Sequence, residues 1–313
     1  MNISSNLYRK KVVILLYIAD AHCDALWKMT QQSVPFTSSR VTVNKNSLKN
    51  GNVKTQVFAL YVPPHWPIKK QRHELKRQME LFHSQIKPAL PASTEAILAL
   101  EGASLPGEDQ SLQQKLLESG VSMASLTWNE ENALAYGSSQ PSHLGIKAAG
   151  KRFIAWQNSN NIIVDGAHLN EKGFWEALEH ADRFLVSHTN IKSIYNHPRN
   201  LTDAQIQAVK EKDGFIGLTF YPLFINGSSE AALLEFTRQI DHACSIGAER
   251  IIGIGSDFDG IDHTVTSIQG PEDYPILVDH LLRHFSKDIV KGIAYGNFRR
   301  FLDKKNLNKF EAN

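Results

Sequence analysis

The sequence contains few cysteines and no long apolar run. Cys23 and Cys244 are its two cysteines among 313 residues, and neither belongs to a C-x-x-C pair. This spacing argues against a disulfide-rich scaffold and a zinc ribbon, and it favours a reducing compartment. No apolar run approaches the roughly 18 residues that a membrane span needs. We therefore expect a cytoplasmic protein that does not associate with membranes.

An excess of charge of one sign is also missing. The chain has 34 Lys and Arg residues against 32 Asp and Glu residues, which gives a net charge of +2. The basic residues are scattered and are not interleaved with aromatic residues, so we predict no nucleic-acid partner. A hydrophobic content of 42% supports a sizeable core. The length is typical of one α/β barrel, and we therefore predict a single domain over residues 1–313.

The N-terminal region resembles the start of a secretory signal. Residues 9-RKK-11 precede the apolar run 12–19. This run is at the short limit for a signal peptide, and cleavage after Ala19 or Ala21 would cut into a cluster of acidic and histidine residues. We therefore interpret the run as a buried β-strand.

Eight short apolar runs recur along the chain and are separated by longer polar or amphipathic stretches. They cover residues 12–19, 53–62, 96–103, 121–128, 162–168, 184–189, 214–220 and 251–258. Their nearly continuous hydrophobicity is typical of parallel strands that are buried on both faces. Repeated alternation of strand and helix predicts an α/β protein with the (β/α)8 TIM-type barrel fold.

Several of the intervals predict helices. Residues 71–86 and 271–285 are amphipathic. Residues 202–212 open with Thr202 and Gln205, the pair expected of a capping box. The first interval, residues 30–52, looks rich in loops.

Five of the eight predicted strands end in polar residues. These are Asp20, His22 and Asp24 at the end of the first, Glu101 of the third, Asp165 and His168 of the fifth, His188 of the sixth, and Asp257 and Asp259 of the eighth. In such barrels the chemistry lies at the C-terminal ends of the strands. Histidines and carboxylates that converge there are costly to bury unless a ligand binds them. A divalent metal is the simplest ligand; this donor set suits zinc, and it also allows manganese, cobalt or iron.

Each of these residues also has a structural interpretation. His168 and His188 could be hydrogen-bonded core residues, and Glu101 could cap a helix. Asp257 and Asp259 could be turn residues, and Asp165 could orient a neighbouring histidine. Their joint occurrence at strand ends favours the metal site. The other histidines are interpreted as surface or structural residues: His65, His73, His83, His143, His180, His197, His242, His263, His280 and His284.

An ordered set of motifs resembles the renal (membrane) dipeptidase family of zinc-dependent dipeptidases, which are amidohydrolase-type metal barrels. The motifs are 20-DAHCD-24, 99-ALEGA-103, 165-DGAH-168, 187-SHTN-190, 199-RNLTD-203, 253-GIGSDFDG-260 and 296-GNFRR-300. The resemblance extends over almost the whole chain.

The resemblance implies a role for individual residues. His22 and Asp24 are similar to ligands of a first zinc ion, His168 and His188 to ligands of a second, and Glu101 to the carboxylate that bridges them. It further implies that Asp257 handles the proton of the attacking water, that Arg199 binds the C-terminal carboxylate of a dipeptide substrate, and that Tyr221 adds a second contact to that carboxylate. The implied activity is hydrolysis of dipeptides by a metal-bridging water, including dipeptides with a C-terminal D-residue, in a possible homodimer.

One departure concerns the segment after the fourth strand. Membrane-bound animal members carry a histidine there that polarises the scissile carbonyl, whereas this chain has Trp128, Asn129, Glu130 and Glu131. Either Asn129 or a metal then assists the carbonyl, or the carbonyl is handled differently. The short N-terminus and the lack of an apolar C-terminal tail argue against the lipid-anchored form.

Two alternatives stay open at this point. One is another metallohydrolase on the same barrel, acting on N-acyl amino acids, cyclic amides or phosphoesters. A carbamylated-lysine bridge would favour it, but no lysine ends the fourth predicted strand. The other is a non-catalytic protein that binds metal or peptide through a retired site.

Overall fold

The computed structural model describes residues 16–307 and contains eight parallel β-strands closed into a barrel. The strands are β1 (Ile18–Asp20), β2 (Val53–Tyr61), β3 (Glu95–Glu101), β4 (Val121–Ser125), β5 (Ile163–Asp165), β6 (Phe184–Thr189), β7 (Phe215–Leu218) and β8 (Ile252–Ile254). Each strand pairs with the next in chain order, and β8 closes on β1 where Ile254 pairs with Asp20. The predicted (β/α)8 barrel is confirmed.

Helices connect the strands and follow the last one. They are α1 (Ala25–Gln32), α2 (Lys45–Asn50), α3 (Ile68–Leu81), α4 (Lys87–Ala89), α5 (Gln110–Glu118), α6 (Ala148–Ser159), α7 (Glu171–His180), α8 (Asp203–Glu211), α9 (Pro222–Ile225), α10 (Leu233–Ser245), α11 (Tyr274–Leu281), α12 (Lys287–Lys291) and α13 (Asn297–Leu307). Short 3-10 or π-helical turns cover Phe82–Ile86, Pro106–Glu108, Pro271–Asp273 and Gly292–Gly296. Within residues 16–307, none of the helices is long and apolar enough to cross a membrane.

The barrel has two layers of core. The larger layer lies between the strands and the surrounding helices. The smaller fills the barrel interior near the N-terminal ends of the strands, where Val57, Ile97 and Phe215 pack together. Phe298 and Phe301 of α13 join this inner layer, and the ring centroids of Phe215 and Phe298 are 4.6 Å apart. Helix α13 therefore covers the N-terminal end of the barrel, which leaves the C-terminal end for the cleft.

Several strands end earlier than the apolar runs predict. The run 121–128 contains β4, which ends at Ser125, and the run 251–258 contains β8, which ends at Ile254. Apolar residues beyond the ladders, such as Leu126 and Phe258, are nevertheless buried against the loops. Apolar residues therefore continue past the last residue of the strand, so the hydrophobic pattern does not show where the strand ends.

The first interval is more regular than the prediction of a loop-rich segment. Helix α1 begins directly after Asp24, and α2 follows within residues 30–52. The side chain of Asn44 accepts hydrogen bonds from the backbone of Asn46 and Ser47, which completes a capping box. Such a short helix depends on its cap and shows no apolar period, so the pattern of hydrophobic residues misses it.

The three predicted helices are present with shifted ends. The prediction 71–86 corresponds to α3 and the π-helical turn after it. The capping box of Thr202 and Gln205 is confirmed at the start of α8. The prediction 271–285 corresponds to a 3-10 turn and α11, which ends early at Leu281.

Part of the first predicted strand, together with residues 9-RKK-11, lies outside the described residues. Within the described part, β1 begins at Ile18. The single domain over residues 1–313 stays a prediction.

Candidate active site

The predicted metal ligands all lie at the C-terminal end of the barrel and are buried. His22 and Asp24 follow β1, Glu101 ends β3, His168 follows β5, and His188 lies near the end of β6. The backbone of the first segment is tied to the eighth strand's loop, since Asp24 N donates to Phe258 O at 2.9 Å. Closure of the barrel therefore brings together residues from four strand ends.

A first group of side chains surrounds the Nε2 atom of His22. Asp24 Oδ2 lies 3.2 Å from it, Asp257 Oδ1 3.7 Å and Glu101 Oε2 3.8 Å. Asp257 thus joins the predicted ligands through its position after β8. One imidazole and three carboxylates converge on one point.

A second group lies around the other oxygen of the same glutamate. Glu101 Oε1 is 2.7 Å from His168 Nε2 and 3.6 Å from His188 Nε2. The two Nε2 atoms are 2.8 Å apart. Glu101 therefore stands between the two groups and presents one oxygen to each, as the bridging role predicts.

Two residues of the site have a left-handed backbone. The φ angles are 67° at His168 and 66° at Asp257. Such conformations cost about 1–3 kcal/mol each in a non-glycine residue and persist where surrounding structure enforces them. They direct both side chains towards the same cluster.

Asp20 and Asp165 support the site from below. Asp20 accepts hydrogen bonds from Ser256 N (2.9 Å) and from the hydroxyl of Tyr274 (2.9 Å). Asp165 does not bond an imidazole directly: its Oδ1 accepts from the backbone N–H of Ser187 at 3.0 Å. The Ser187 hydroxyl lies 2.9 Å from His188 Nδ1, so Asp165 orients the histidine through its neighbour.

Asp259 lies apart from the cluster. Its two carboxylate oxygens accept from the backbone N–H groups of Thr42 and Val43 at 2.8 and 2.9 Å. It therefore ties the segment before α2 to the loop after β8.

The carboxylates strongly perturb one another. Burial opposes the charged form of His22, but Asp24, Glu101 and Asp257 outweigh it and raise the pKa of His22 to about 10. Burial and Glu101 raise the pKa of Asp24 to about 6, and burial raises the pKa of Asp257 well above its usual value. Burial also opposes ionisation of Glu101, yet His22 and His168 lower its pKa to about 2. The carboxylates therefore need positive charge beside them.

The two other histidines are electrically neutral near pH 7. Burial lowers the pKa of His168 to about 4, with Arg199 contributing, and it lowers the pKa of His188 well below the usual value. Asn129 Oδ1 lies 2.8 Å from His168 Nδ1 and can only accept, so the proton of this imidazole is on Nδ1. His168 Nε2 therefore carries a lone pair.

These donors fit divalent metal ions. The lone pair of His168 Nε2 faces Glu101 Oε1 and His188 Nε2 at distances where unshielded lone pairs repel, and a cation among them would remove that repulsion. Asp24 Oδ1 is buried and has no hydrogen-bond partner in residues 16–307. Imidazole nitrogen with carboxylate oxygen is a donor set that zinc and similar ions prefer.

The cluster forms the floor of a cleft of about 740 Å³. Arg199, Tyr221 and Asn129, the residues predicted to contact a substrate, line this cleft. Arg199 is buried, and one of its terminal nitrogens donates to His188 O at 3.2 Å. Its Nε atom is buried without a hydrogen-bond partner in the described chain. Burial lowers the pKa of Arg199 to about 10, which leaves it charged at neutral pH.

Two histidines that the sequence analysis interprets as surface or structural line this cleft. They are His65, four residues after the end of β2, and His197, whose Nδ1 accepts from Arg199 N at 3.2 Å. Trp27, Tyr61 and Trp128 also line the cleft, and they were not predicted from the sequence as residues of the site. The position of Tyr61 at a strand end was a usable signal. No periodic pattern marks the others, because they lie on loops and in the first turn of a helix.

Comparison with known proteins identifies the family. The profile of the membrane dipeptidase family, peptidase family M19, matches residues 9–312. Dipeptidase aclJ of Aspergillus oryzae is 31% identical over 219 residues, which cover 68% of this chain and 52% of the relative. An uncharacterized dipeptidase of Schizosaccharomyces pombe is 31% identical over 187 residues, which cover 58% and 46%. The chain spans about half the length of these curated relatives.

Solved structures share the fold. The metallopeptidase dipeptidase AC of family M19 superposes with a TM-score of 0.85 at 22% identity and covers 92% of this chain and 98% of its own. A metallopeptidase from Rhodobacter sphaeroides, liganded with a phosphinate mimic of L-Ala-D-Ala, gives a TM-score of 0.83 at 20% identity and covers 92% and 99%. On the family profile and its extent, the chain belongs to the membrane dipeptidase family, peptidase family M19.

Proposed function

We propose that this protein is a metal-dependent hydrolase that cleaves the peptide bond of dipeptides. The observation that carries the proposal is the buried cluster of imidazoles and carboxylates at the floor of a cleft with Arg199 in its wall. The cleft volume of about 740 Å³ is in the range of small-molecule sites. Membership of a dipeptidase family supports the same reaction.

Two divalent ions, proposed to be zinc, fit the two groups of donors. His22 and Asp24 would hold one ion, His168 and His188 the other, and Glu101 would contribute one oxygen to each. When bound, such ions would supply an activated water and would polarise the scissile carbonyl.

Asp257 is the proposed proton carrier. It is buried beside the cluster, and its Oδ1 atom lies 3.7 Å from His22 Nε2. In hydrolysis Asp257 would take a proton from the attacking water and deliver it to the amine that leaves. Its left-handed backbone holds the carboxylate over the floor of the cleft.

Arg199 is the proposed anchor for the C-terminal carboxylate. A guanidinium binds a carboxylate through two parallel hydrogen bonds, and this one is positively charged and lines the cleft. The Thr189 hydroxyl donates to Arg199 O at 2.8 Å and fixes the backbone at this position. A longer peptide would have to place more chain beyond Arg199, which explains selection for dipeptides. Tyr221 lines the same cleft and is proposed as a second contact to the carboxylate.

Asn129 is proposed to serve the substrate as well as His168. Its Oδ1 accepts from His168 Nδ1 and from the Ser138 hydroxyl, at 2.8 and 3.0 Å. Its amide NH2 is then the group that can donate to the substrate carbonyl, in place of the family histidine that this chain lacks.

We also propose that a D-residue is accepted at the C-terminal position. The Rhodobacter sphaeroides structure was solved with a mimic of L-Ala-D-Ala, which supports this for a protein of the same fold. A homodimer and a cytoplasmic location stay predictions.

Metal-restored turnover tests the proposed function. The purified protein would be analysed for metal, stripped with a chelator, reloaded with zinc and assayed on L,L and L,D dipeptides. N-acyl amino acids, cyclic amides and phosphoesters serve as comparison substrates. We expect zinc to restore hydrolysis of dipeptides above all of these. Absence of any metal-restored dipeptide hydrolysis contradicts the proposal, and turnover of a comparison substrate alone supports the alternative hydrolase.

A further inference from the structure

Aromatic rings form a continuous surface on one side of the cleft. The centroids of consecutive rings are 5.5 Å apart for Trp66 and Trp27, 5.4 Å for Trp27 and Tyr61, and 5.6 Å for Tyr61 and Trp128. The indole of Trp128 lies 6.1 Å from the imidazole of His168. We call these four residues the aromatic wall; Trp27, Tyr61 and Trp128 face the cleft, and Trp66 supports Trp27.

The aromatic wall is held in place by regular structure. Trp27 belongs to α1. The side chain of Gln78 in α3 accepts from Tyr61 N at 3.0 Å and donates to Tyr61 O at 2.7 Å. Trp66 is covered by the ammonium of Lys70, which lies 3.3 Å from the centroid of its ring. The three rings at the cleft are therefore a preformed apolar surface, which lowers the ordering cost of binding.

The position of the aromatic wall relative to Arg199 determines which part of a dipeptide it meets. Arg199 belongs to the connection between β6 and α8, whereas the wall residues lie in α1, at the end of β2 and in the loops after β2 and β4. The metal-ligating cluster lies at the floor between the two sides. With the C-terminal carboxylate at Arg199 and the scissile carbonyl over the cluster, the N-terminal residue lies against the wall. This step rests on the proposed function.

We propose that the aromatic wall binds the side chain of the substrate's N-terminal residue and selects a large apolar or aromatic one. Trp27, Tyr61 and Trp128 are each half-buried, so ring surface is left for a ligand to cover. Offset and edge-to-face contacts with such rings add to the gain from burying apolar surface. Trp128 lies between Tyr61 and the imidazole of His168, next to the reacting bond, and is the specificity-determining residue.

A basic side chain is the competing occupant. Glu130 also lines the cleft, and aromatic faces attract cations. Lys70 already occupies the ring of Trp66, however, and the Glu130 carboxylate is exposed to solvent, where an ion pair contributes little. The arrangement therefore favours an apolar side chain.

Substrate ratios test the proposal. With the zinc-loaded protein, we expect kcat/KM for Phe-Ala to exceed that for Ala-Ala by at least about 10-fold, and Trp128→Ala to reduce this ratio about 10-fold. Trp128→Phe keeps a ring and should retain most of the preference, which separates lost contact from misfolding. Trp175→Ala, which removes a partly exposed tryptophan of α7, is the matched control and should leave the ratio unchanged.

The reversed dipeptide Ala-Phe tests whether the aromatic wall binds the side chain of the N-terminal or of the C-terminal residue. The effect of Trp128→Ala on Phe-Ala should exceed its effect on Ala-Phe; equal effects would overturn the assignment to the N-terminal residue. If the protein prefers Lys-Ala and Glu130→Gln abolishes this preference, the proposal that the wall selects an apolar side chain is overturned. If correctly folded Trp128→Ala has an unchanged ratio of kcat/KM for Phe-Ala to kcat/KM for Ala-Ala, the proposal that the aromatic wall binds this side chain is overturned.

Binding without turnover separates this proposal from the proposed function. Titration calorimetry with phosphinate mimics of Phe-Ala and Ala-Ala reports the side-chain preference even if no dipeptide is hydrolysed. The proposal is supported if the Phe-Ala mimic binds more tightly than the Ala-Ala mimic and Trp128→Ala weakens its binding. Equal binding of both mimics contradicts it. Zinc-restored hydrolysis alone decides the proposed function.

Discussion

The Nδ1 atom of His168 lies 2.8 Å from the Oδ1 atom of Asn129, and this contact decides which nitrogen of the imidazole faces the carboxylates. An amide oxygen can only accept, so the proton is held at Nδ1 and the lone pair at Nε2 points to Glu101. Outer partners of this kind commonly orient metal-binding histidines. Asn129, which is not itself one of the proposed metal ligands, thereby orients the proposed ligand His168.

Replacing Asn129 should separate metal binding from catalysis. Asn129→Ala removes the acceptor and is expected to weaken zinc binding about 10-fold. Asn129→Asp keeps an acceptor for His168 but removes the NH2 proposed to contact the substrate, so it should retain zinc and lose turnover. Competition with a chromophoric chelator measures the zinc affinity. Equal zinc affinity in Asn129→Ala and the unmodified protein would contradict the positioning role.

Replacing Arg199 should affect substrate far more than metal. Arg199→Ala is expected to lower kcat/KM for dipeptides about 100-fold, since a buried charge partner of the carboxylate is lost. Zinc content, measured by elemental analysis, should stay unchanged. The matched substrate is a C-terminally amidated dipeptide, on which Arg199→Ala should have little further effect. Joint loss of zinc and activity would mean that Arg199 maintains the cluster instead.

Asp257→Asn tests proton transfer. The amide cannot accept the proton of the attacking water, so kcat should fall by about 10²- to 10⁴-fold. Zinc content decides between two roles, because Asp257 Oδ1 is also 3.7 Å from His22 Nε2. Full zinc content with low kcat fits the proton carrier. Loss of one equivalent of zinc would identify Asp257 as a ligand.

Asp109 gives a pH-dependent contribution to stability. Hydrogen bonds from Ser111, Arg72 and the backbone of Leu112 lower its pKa to about 2 from an ordinary value of 3.8. A lowered pKa stabilises the fold above the ordinary value, and this contribution is lost as the pH falls from about 4 to about 2. Asp109→Asn keeps a good N-cap for α5 but loses the ion pair with Arg72.

Urea unfolding measures this contribution. At pH 7, Asp109→Asn should lower the free energy of unfolding by about 0.5 kcal/mol, because solvent around the exposed Arg72 screens the ion pair. The difference in the free energy of unfolding between Asp109→Asn and the unmodified protein should be smaller at pH 3. A difference that stays constant between pH 7 and pH 3 would show that the loss does not come from the charge.

The barrel was predictable because its strands are short apolar runs in a regular alternation with longer stretches. Burial on both faces makes each strand visible from composition alone. The rule that polar residues at C-terminal strand ends meet then located His22, Glu101 and His188 without knowledge of any contact. Helix α2 was not predictable in the same way, because a single capping box at Asn44 supports it.

The aromatic wall and the two cleft histidines were hidden for a different reason. Trp27, Tyr61, Trp66 and Trp128 come from three separate segments, and no local period connects them. His197 looked like a surface residue because its environment depends on Phe224, which the chain brings to it only after folding.

The sequence by itself determined the order of the strands and the polar residues at or just beyond their ends, because side-chain hydrophobicity and strand polarity are local properties. Tertiary structure alone decided the partners of those residues. Glu101 presents one oxygen to His22 and the other to His168, and Asn129 contacts His168 from the loop after the neighbouring strand. Such distances are set by barrel closure, which joins strands that are distant in the chain, and no pattern within one segment encodes them.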